Sequence, residues 1–543
     1  MRNTNISRRG FIGMGGVAAA TVGVGALAGC SAQSSTAAGS ASVSTGATAV
    51  DIPSFLTIPD AISDDEVAET HDYEIVVVGA GNSGIGAVVA ALNAGASVCC
   101  VEKSVQANAT GMAAGGIDLE ASDDAAVEYI VERHLCANDF RSVREVVETW
   151  AWRSDEALNA IKDFVSSTDD PMDFPAEGSS IAGTVEFEYP GTDMSATVFV
   201  YMPSSVNYAS AQPIYAAYAE EQGCDYYYSM PAQQLAVDDD GAVVGVYCLD
   251  EDGAYHKFTA SKGVILCTGD YQNDEEMVAY YCPDLKYADP MQEGKTGDGI
   301  KMGMWIGGQI EPVGHTKMTH NYGAGPMGDQ PFLRVKLDGT RFCCESAPLF
   351  QAQTFFRLSD EAVEWFQIFD ANYSEQVTAW GGEPTDSASF DSYIERGNMW
   401  SADTLEELAE TCGIEDADTF LATVERYNEL AAAGGDEDFG KIAAYMQPID
   451  TAPFYAVHRK LPRTAILSGL LTDGDQHVLD ADGNPITGLY AAGNTAGGFF
   501  GAVDYPLRVM ESDPIGRSTI EGVSVGRAMT GGYVAAQNAA NGI

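Results

Sequence analysis

An α/β fold with a parallel-sheet core and an inserted α+β segment is predicted by three observations. An apolar strand runs into a glycine-rich turn and a small-residue helix over Glu74 to Ala91, EIVVVGAGNSGIGAVVAA. A second apolar strand ends in glycines near the C-terminus, LYAAGNTAGG at 489–498. Between them, from about Thr316 to Thr451, the texture changes to long acidic helices and irregular runs such as SADTLEELAETCGIEDADTFLATVERYNELAAA. A sheet that opens at residue 74 and closes at the C-terminus must carry that middle stretch as an insertion.

The first turn has the chemistry of a dinucleotide site. Gly79 permits the tight turn, Gly81 lets the backbone approach a pyrophosphate, and Gly84 lets the helix pack closely on the sheet. The phosphates then face a helix N-terminus, whose free amides and dipole favour negative charge. The following strand, SVCCVEK, ends at Glu102, 18 residues past Gly84, where a carboxylate accepts hydrogen bonds from a ribose diol and disfavours a 2′-phosphate. A glycine-rich turn also serves plain packing; the strand, the helix and Glu102 in register favour the nucleotide. Asn108 to Gly116 forms a second glycine-rich loop, helical patterns fill roughly 121–165, and 232–269 alternates strands around a D-D-G turn to end at Thr268-Gly269-Asp270. Gly297-Asp298-Gly299 opens another helix, and 515–534, IGRSTIEGVSVGRAMTGGYV, reads as the final one. Tyr226, Tyr227 and Tyr228 read as sheet residues rather than ligands.

Composition bounds the rest. At 543 residues two packed units are expected. A net charge of −51 argues against nucleic acid as a partner, since phosphates require basic patches. Ser7-Arg8-Arg9-Gly10-Phe11 followed by an uncharged small-residue run resembles a twin-arginine export signal, and Leu27-Ala28-Gly29-Cys30 resembles a lipobox with Cys30 as the lipidated residue. The expected localisation is therefore the outer face of the membrane, by lipid anchor. Residues 31–71 read as a flexible tether, with order starting near Asp72. The remaining cysteines contain no C-x-x-C, the pairs Cys99-Cys100 and Cys343-Cys344 read as small apolar residues, and the histidines show no ligand spacing, so no metal site is expected.

This order of signals resembles the flavoprotein subunit family of fumarate reductase and succinate dehydrogenase, which includes urocanate reductase and 3-ketosteroid dehydrogenase. The resemblance rests on GAGNSG with Glu102-Lys103, Ala113-Ala114-Gly115-Gly116, the strand ending Thr268-Gly269-Asp270, Gly297-Asp298-Gly299, LYAAGN at 489–494 and the GRSTIEG run, and covers about 72–540. It implies a Rossmann-type FAD-binding domain with an inserted α+β capping domain: a signal at 1–30, a tether at 31–71, the FAD-binding domain at 72–315 and 451–543, and the cap at 316–450. It also implies FAD contacts from Gly79, Gly81, Ser83, Gly84, Glu102, Lys103, Thr110, Ala114, Gly115, Gly116, Gly269, Asp298, Gly493, Asn494, Ser518 and Ile520. Where some members bond FAD covalently through histidine this chain has Ala109, so the implied FAD is non-covalent.

The departures bear on chemistry. In G-x-R-F-x-x-E, here Gly339 to Glu345, the family's acid arginine four residues on is replaced by Leu349, and its T-E-x-x-R is not recognisable within Met318 to Phe332. Its second substrate histidine falls at Ala465, and its carboxylate-binding arginine falls in the altered segment GAVDYPLRVMESDPIG. Because a C4-dicarboxylate needs two charged clamps, fumarate and succinate are not the expected substrates. The catalytic candidates are Tyr505, in an Asp504-Tyr505-Pro506 run resembling the Tyr-Pro of ketosteroid dehydrogenases, Arg508 as an anion anchor, and His315, the counterpart of the family's cap-border histidine. Arg463 is a lesser candidate, and Phe499 and Phe500 are read either as a pocket wall or as core. A structural role is the alternative for each.

The expected function is reduction of an activated C=C bond in a non-dicarboxylate small-molecule alkene or enone, with hydride from FAD and a proton from a protein acid. Without a haem motif or second dinucleotide turn, an external electron donor, a membrane quinol dehydrogenase or a cytochrome, is implied. Two alternatives stand beside it: a 3-ketosteroid-type dehydrogenase and a non-catalytic surface flavoprotein.

Overall fold

A computed structural model describes residues 52–177, 179, 181–319, 325–328, 330–347, 364–504 and 520–543. Residues 1–51, with the expected signal and Cys30, lie outside them, as do Leu349, Tyr505, Arg508 and Ser518. Residues 52–59 form a separate unit with one short 3₁₀ turn, Ser54–Leu56. Among the described residues no helix is long and apolar enough to cross a membrane.

From residue 60 onward the core is a mostly parallel sheet. Its order runs His477–Leu479, Pro485–Ala491, Tyr255–Leu266, Val67–Val78, Val98–Val101, Asp225–Tyr227, with only the first pair antiparallel. Unbroken apolar runs explain why these strands are central: Ile75, Val76, Val77 and Val98 are at most 1% exposed, as a strand covered on both faces requires. The helix Asn82–Asn93 and the C-terminal helix Val523–Asn541 are small-residue helices joined to this core. Ala232–Val237 and Val243–Leu249 add an antiparallel extension on Tyr255–Thr259.

The first strand starts at Val67, so residues 67–71, expected as tether, are sheet and pair with Tyr255 to Phe258. Their polar, half-exposed sequence VAETH hides that pairing from any apolar pattern. The last helix was expected at 515–534 and is instead Val523–Asn541, between left-handed glycines Gly522 (φ 71°) and Gly542 (φ 71°). The small residues continuing past 534 supply its buried face.

The inserted layer is a four-stranded antiparallel sheet, Leu333–Lys336, Glu364–Phe369, Phe454–Lys460, Met399–Ala402. The helices Leu405–Cys412 and Ala417–Ala433 cover one face, burying Leu408, Phe420 and Val424 against Leu333, Val335 and Phe366. Its strand Phe454–Lys460 lies beyond the expected boundary at 450, because its partners are Glu364–Phe369 and Met399–Ala402 and not the central sheet. The chain crosses between the layers where Lys317–Met318 pairs with Ala465–Ile466.

Candidate functional site

A cleft opens at the C-terminal ends of the parallel strands, the position where open α/β sheets bind nucleotides. Gly79, Gly81, Glu102, Lys103 and Asp298, all expected cofactor contacts, line it. Gly79 takes φ +108°, and a Cβ there would lie 2.5 Å from the Cys267 carbonyl oxygen. A Cβ on Gly84 would lie 2.2 Å from the Gly79 oxygen, which is why the helix closes so tightly on the turn. At Gly81, by contrast, a Cβ would meet only the Asn108 oxygen at 3.6 Å, so the backbone is open towards the cleft.

Gly81 is the N-cap of the helix Asn82–Asn93, and no side chain caps it. An uncapped helix start facing a cleft is an anion site. Glu102 Oε2 accepts from the Ala80 amide at 2.8 Å and Oε1 from Ser104 at 2.8 Å, which aims the carboxylate along the rim. Opposite, Lys103 Nζ donates to Asp298 Oδ2 and to Thr296 Oγ1, both at 2.7 Å. An uncapped helix dipole beside a fixed carboxylate fits a pyrophosphate next to a ribose. Glu102→Ala is expected to weaken FAD retention by roughly ten- to a hundredfold, the cost of losing hydrogen bonds to a charged group; normal flavin content after purification would remove Glu102 from the site.

The other expected contacts divide. Ser83 is 6% exposed, and a Cβ on Gly493 would lie 2.7 Å from its Oγ. Thr110 offers its carbonyl to Asn82 Nδ2 at 2.7 Å. Gly269 takes φ +78° beside Lys295. Asn494 donates to Asp270 Oδ2 at 3.2 Å and accepts from Arg527 at 2.7 Å. Ala114, Gly115 and Gly116, expected in a loop, form the strand Ala114–Asp118. Their small size serves packing: a Cβ on Gly115 would strike the Glu521 oxygen at 2.2 Å, and one on Gly116 would strike Phe199 at 2.8 Å. Ile520 is buried in the apolar cluster with Phe499 and Phe500.

Sequence reasoning missed Arg527. It donates to the Gly493 carbonyl at 2.6 Å and to Asn494 Oδ1, with its guanidinium 5.3 Å from the Phe500 ring centroid. A lone arginine among the small residues of VSVGRAMTGG was the available signal. Gly493, Arg527, Phe499 and Gln476 line a second, narrow cleft.

His315, a catalytic candidate from the sequence, is enclosed by its partners. It is 1% exposed, its Nε2–H donates to the Glu311 carbonyl at 2.9 Å, and its Nδ1 accepts from the Tyr271 hydroxyl at 2.5 Å. Its ring stacks on Tyr281 with centroids 4.4 Å apart. Burial lowers its pKa to about 4, so at neutral pH it is the neutral ring with both nitrogens engaged and holds no proton ready to give. Arg463 is also committed, paired to Glu275 at 2.5 Å.

At Ala465, the position of the resembled family's second substrate histidine, the surroundings are apolar. Ala465 pairs across strands with Met318, and both pack with Leu467, Phe499 and Phe500. Phe499 and Phe500 are 2% and 0% exposed, so they sit as core residues here. Tyr227 ends the edge strand Asp225–Tyr227, as expected of a sheet tyrosine.

Two triads, Glu69/His71/His256 and Asp473/Asp475/His477, bring ligand-type atoms together without any contiguous motif in the first case. In the first, His71 Nε2 lies 3.1 Å from His256 Nδ1, with ring centroids 5.4 Å apart.

Residues 74–505 match the family model FAD_binding_2, described as FAD binding domain. The chain is 27% identical over 481 residues to a vinyl phenol reductase of Lactiplantibacillus plantarum, covering 80% of this chain and 92% of that protein. Its fold is similar to the open conformation of a flavocytochrome c3 fumarate reductase, with a TM-score of 0.65 and 23% identity over 89% of this chain and 82% of that one. It is likewise similar to a 3-ketosteroid Δ1-dehydrogenase of Sterolibacterium denitrificans, with a TM-score of 0.62 and 20% identity over 87% of this chain and 100% of that one.

Proposed function

The chain belongs to the FAD_binding_2 family of FAD-binding domains, and on that premise we propose that it reduces an activated C=C bond in an apolar, non-dicarboxylate acceptor such as a vinylphenol or cinnamate. FAD, held in the Glu102 cleft, supplies the hydride when bound. The protein's own tasks are to seat the alkene, exclude water and deliver one proton.

The observation that carries this reading is the pairing of half-buried Ala465 with Met318 at the position of the resembled family's second substrate histidine. The half-buried apolar side chains there favour an aromatic ring and cannot replace the hydration a dicarboxylate would lose. The likeness to a vinyl phenol reductase points the same way. With His315 neutral and enclosed, the proton donor proposed is Tyr505, with Arg508 as the anchor for a single anionic or enolate oxygen. Tyr505→Phe is expected to retain FAD and lose at least about tenfold in turnover, less than the roughly hundredfold low end of general-acid effects; unchanged turnover would take Tyr505 out of the mechanism.

Electrons are proposed to come from a membrane quinol dehydrogenase or a cytochrome, with the protein exported through its twin-arginine segment and tethered by lipid at Cys30. The second reading, dehydrogenation of a ketosteroid-like CH–CH unit, is favoured by Asp504-Tyr505-Pro506 and by the likeness in fold to a ketosteroid dehydrogenase. Anaerobic reoxidation of the dithionite-reduced protein separates them. Rapid reoxidation by vinylphenol or cinnamate with none by fumarate is expected. Silence across the alkenes, together with dye reduction on adding a saturated ketosteroid to oxidised protein, would establish the dehydrogenase; rapid reoxidation by fumarate would overturn the substrate class.

A further inference from the structure

One buried ionisable side chain at this site is used by none of the steps above. Glu311 is 9% exposed, and its Oε1 accepts the Gly498 amide in the turn that follows Gly493-Asn494. The contact leaves no room for any other residue at the turn: a Cβ on Gly497 would lie 2.7 Å from Glu311 Oε1 and 2.8 Å from its Cγ. The Ser468 hydroxyl also donates to this carboxyl. Gly493 and Gly497 line the second cleft with Arg527, so Glu311 lies directly behind its wall.

We propose that Glu311 is a positioning residue of the flavin site, whose carboxyl fixes the Gly497–Gly498 turn and takes up a solvent proton when two electrons reach the bound FAD. Negative charge arriving nearby raises the proton affinity of a carboxyl in a poorly screened interior. Uptake of one proton from water by the carboxylate balances part of that charge, and reoxidation returns it. Burial pushes the Glu311 carboxyl up to about 7, against the lowering effects of the Gly498 amide, Ser468, Arg527 and Arg141. The charged and titratable groups facing it are Arg527 from the C-terminal helix, Arg141 from the loop after Asp124–Ala137, and His315 on its own segment. His134 stands one layer off, bonded to the Phe499 carbonyl at 2.8 Å, and burial holds it neutral with its pKa lowered to about 4. Guanidinium groups stay charged and both histidines stay neutral near pH 7, which leaves Glu311, among the described residues facing the turn, as the group that titrates there.

The proposal rests on FAD binding and not on the identity of the alkene, so it stands or falls apart from the substrate assignment. The test is the midpoint potential of the FAD-loaded protein from pH 5 to 9, by dye-linked spectrophotometric titration, for wild type, Glu311→Gln and Ser468→Ala. One extra proton per two electrons changes the equilibrium constant tenfold per pH unit, about 30 mV. Wild type is expected to show that additional slope over a window around neutrality. Glu311→Gln, which keeps the acceptor for Gly498 but cannot titrate, is expected to lose it. Ser468→Ala removes a donor to the charged form, so the window is expected to move to higher pH. An identical slope in wild type and Glu311→Gln overturns the proposal. If Glu311→Gln does not fold, an unmoved window in Ser468→Ala overturns it on its own.

Discussion

Gly532→Ala is expected to strip the protein of flavin and lower its melting temperature, although alanine is the better helix former by about 1 kcal/mol. The cause is the crossing of the C-terminal helix with the helix of the dinucleotide turn. A Cβ on Gly532 would lie 1.9 Å from the Ser83 carbonyl oxygen, and one on Gly86 2.3 Å from the Met529 oxygen. These are backbone atoms, so no rotamer relieves the clash and one helix must move. Moving the first helix displaces the uncapped amides at Gly81 that face the cofactor cleft. The cost falls at the top of the overpacking range, about 3 kcal/mol. Gly531→Ala is the control, since its Cβ would meet Gln476 Oε1 at 2.9 Å, the end of a flexible side chain. Flavin absorbance and thermal melts of both variants check the claim: equal behaviour, or a flavin-replete Gly532→Ala, would refute it.

How much of this was legible in the sequence depends on the range of the interaction. The turn at Gly79 to Gly84 and Glu102 could be read because strand, turn and helix are contiguous and each glycine has a local reason. The placement of Tyr255–Leu266 between Val67–Val78 and Pro485–Ala491 could not, since no local signal records which strands become neighbours. Phe454–Lys460 looked like a return to the central sheet, yet its partners lie far earlier in the chain. His315 was visible as a histidine but not as a buried one, because burial comes from Tyr271 and Tyr281, which reach it through the fold. Glu311 carried no motif at all. Its character is set by Gly498, distant in sequence, and by the removal of water.

The inserted layer supplies the second large effect. Arg341→Met is expected to destabilise it by about 3–5 kcal/mol, the cost of leaving buried charge without its partner. Arg341 makes two forks: Nε and one terminal nitrogen donate to Glu345 at 2.8 and 2.7 Å, and its terminal nitrogens donate to Asp436 at 3.1 and 2.7 Å. Both carboxylate side chains are 0% exposed. Lys441 does not take over, because its Nζ is bonded at 2.5 Å to the Pro331 carbonyl and the Tyr427 hydroxyl and lies 3.8 Å from Glu345. The pH dependence has a defined sign. Burial pushes Asp436 up, but hydrogen bonds from Arg341 and from the Lys441 and Phe439 amides outweigh it and bring its pKa down to about 2. A carboxyl lowered in the folded state stabilises fully above its unfolded value, about 3.9, and loses that contribution as pH falls through about 2. The gap between wild type and Arg341→Met is therefore expected to be widest at neutral pH and to narrow below about pH 4. Adding Glu345→Gln and Asp436→Asn to Arg341→Met removes the stranded charges and is expected to recover most of the loss. Thermal melts at pH 7 and pH 3 decide it. A single variant as stable as wild type at pH 7, or a triple variant no better than the single, would show that the layer is held by its apolar face at Leu408, Phe420 and Val424 and not by this ion network.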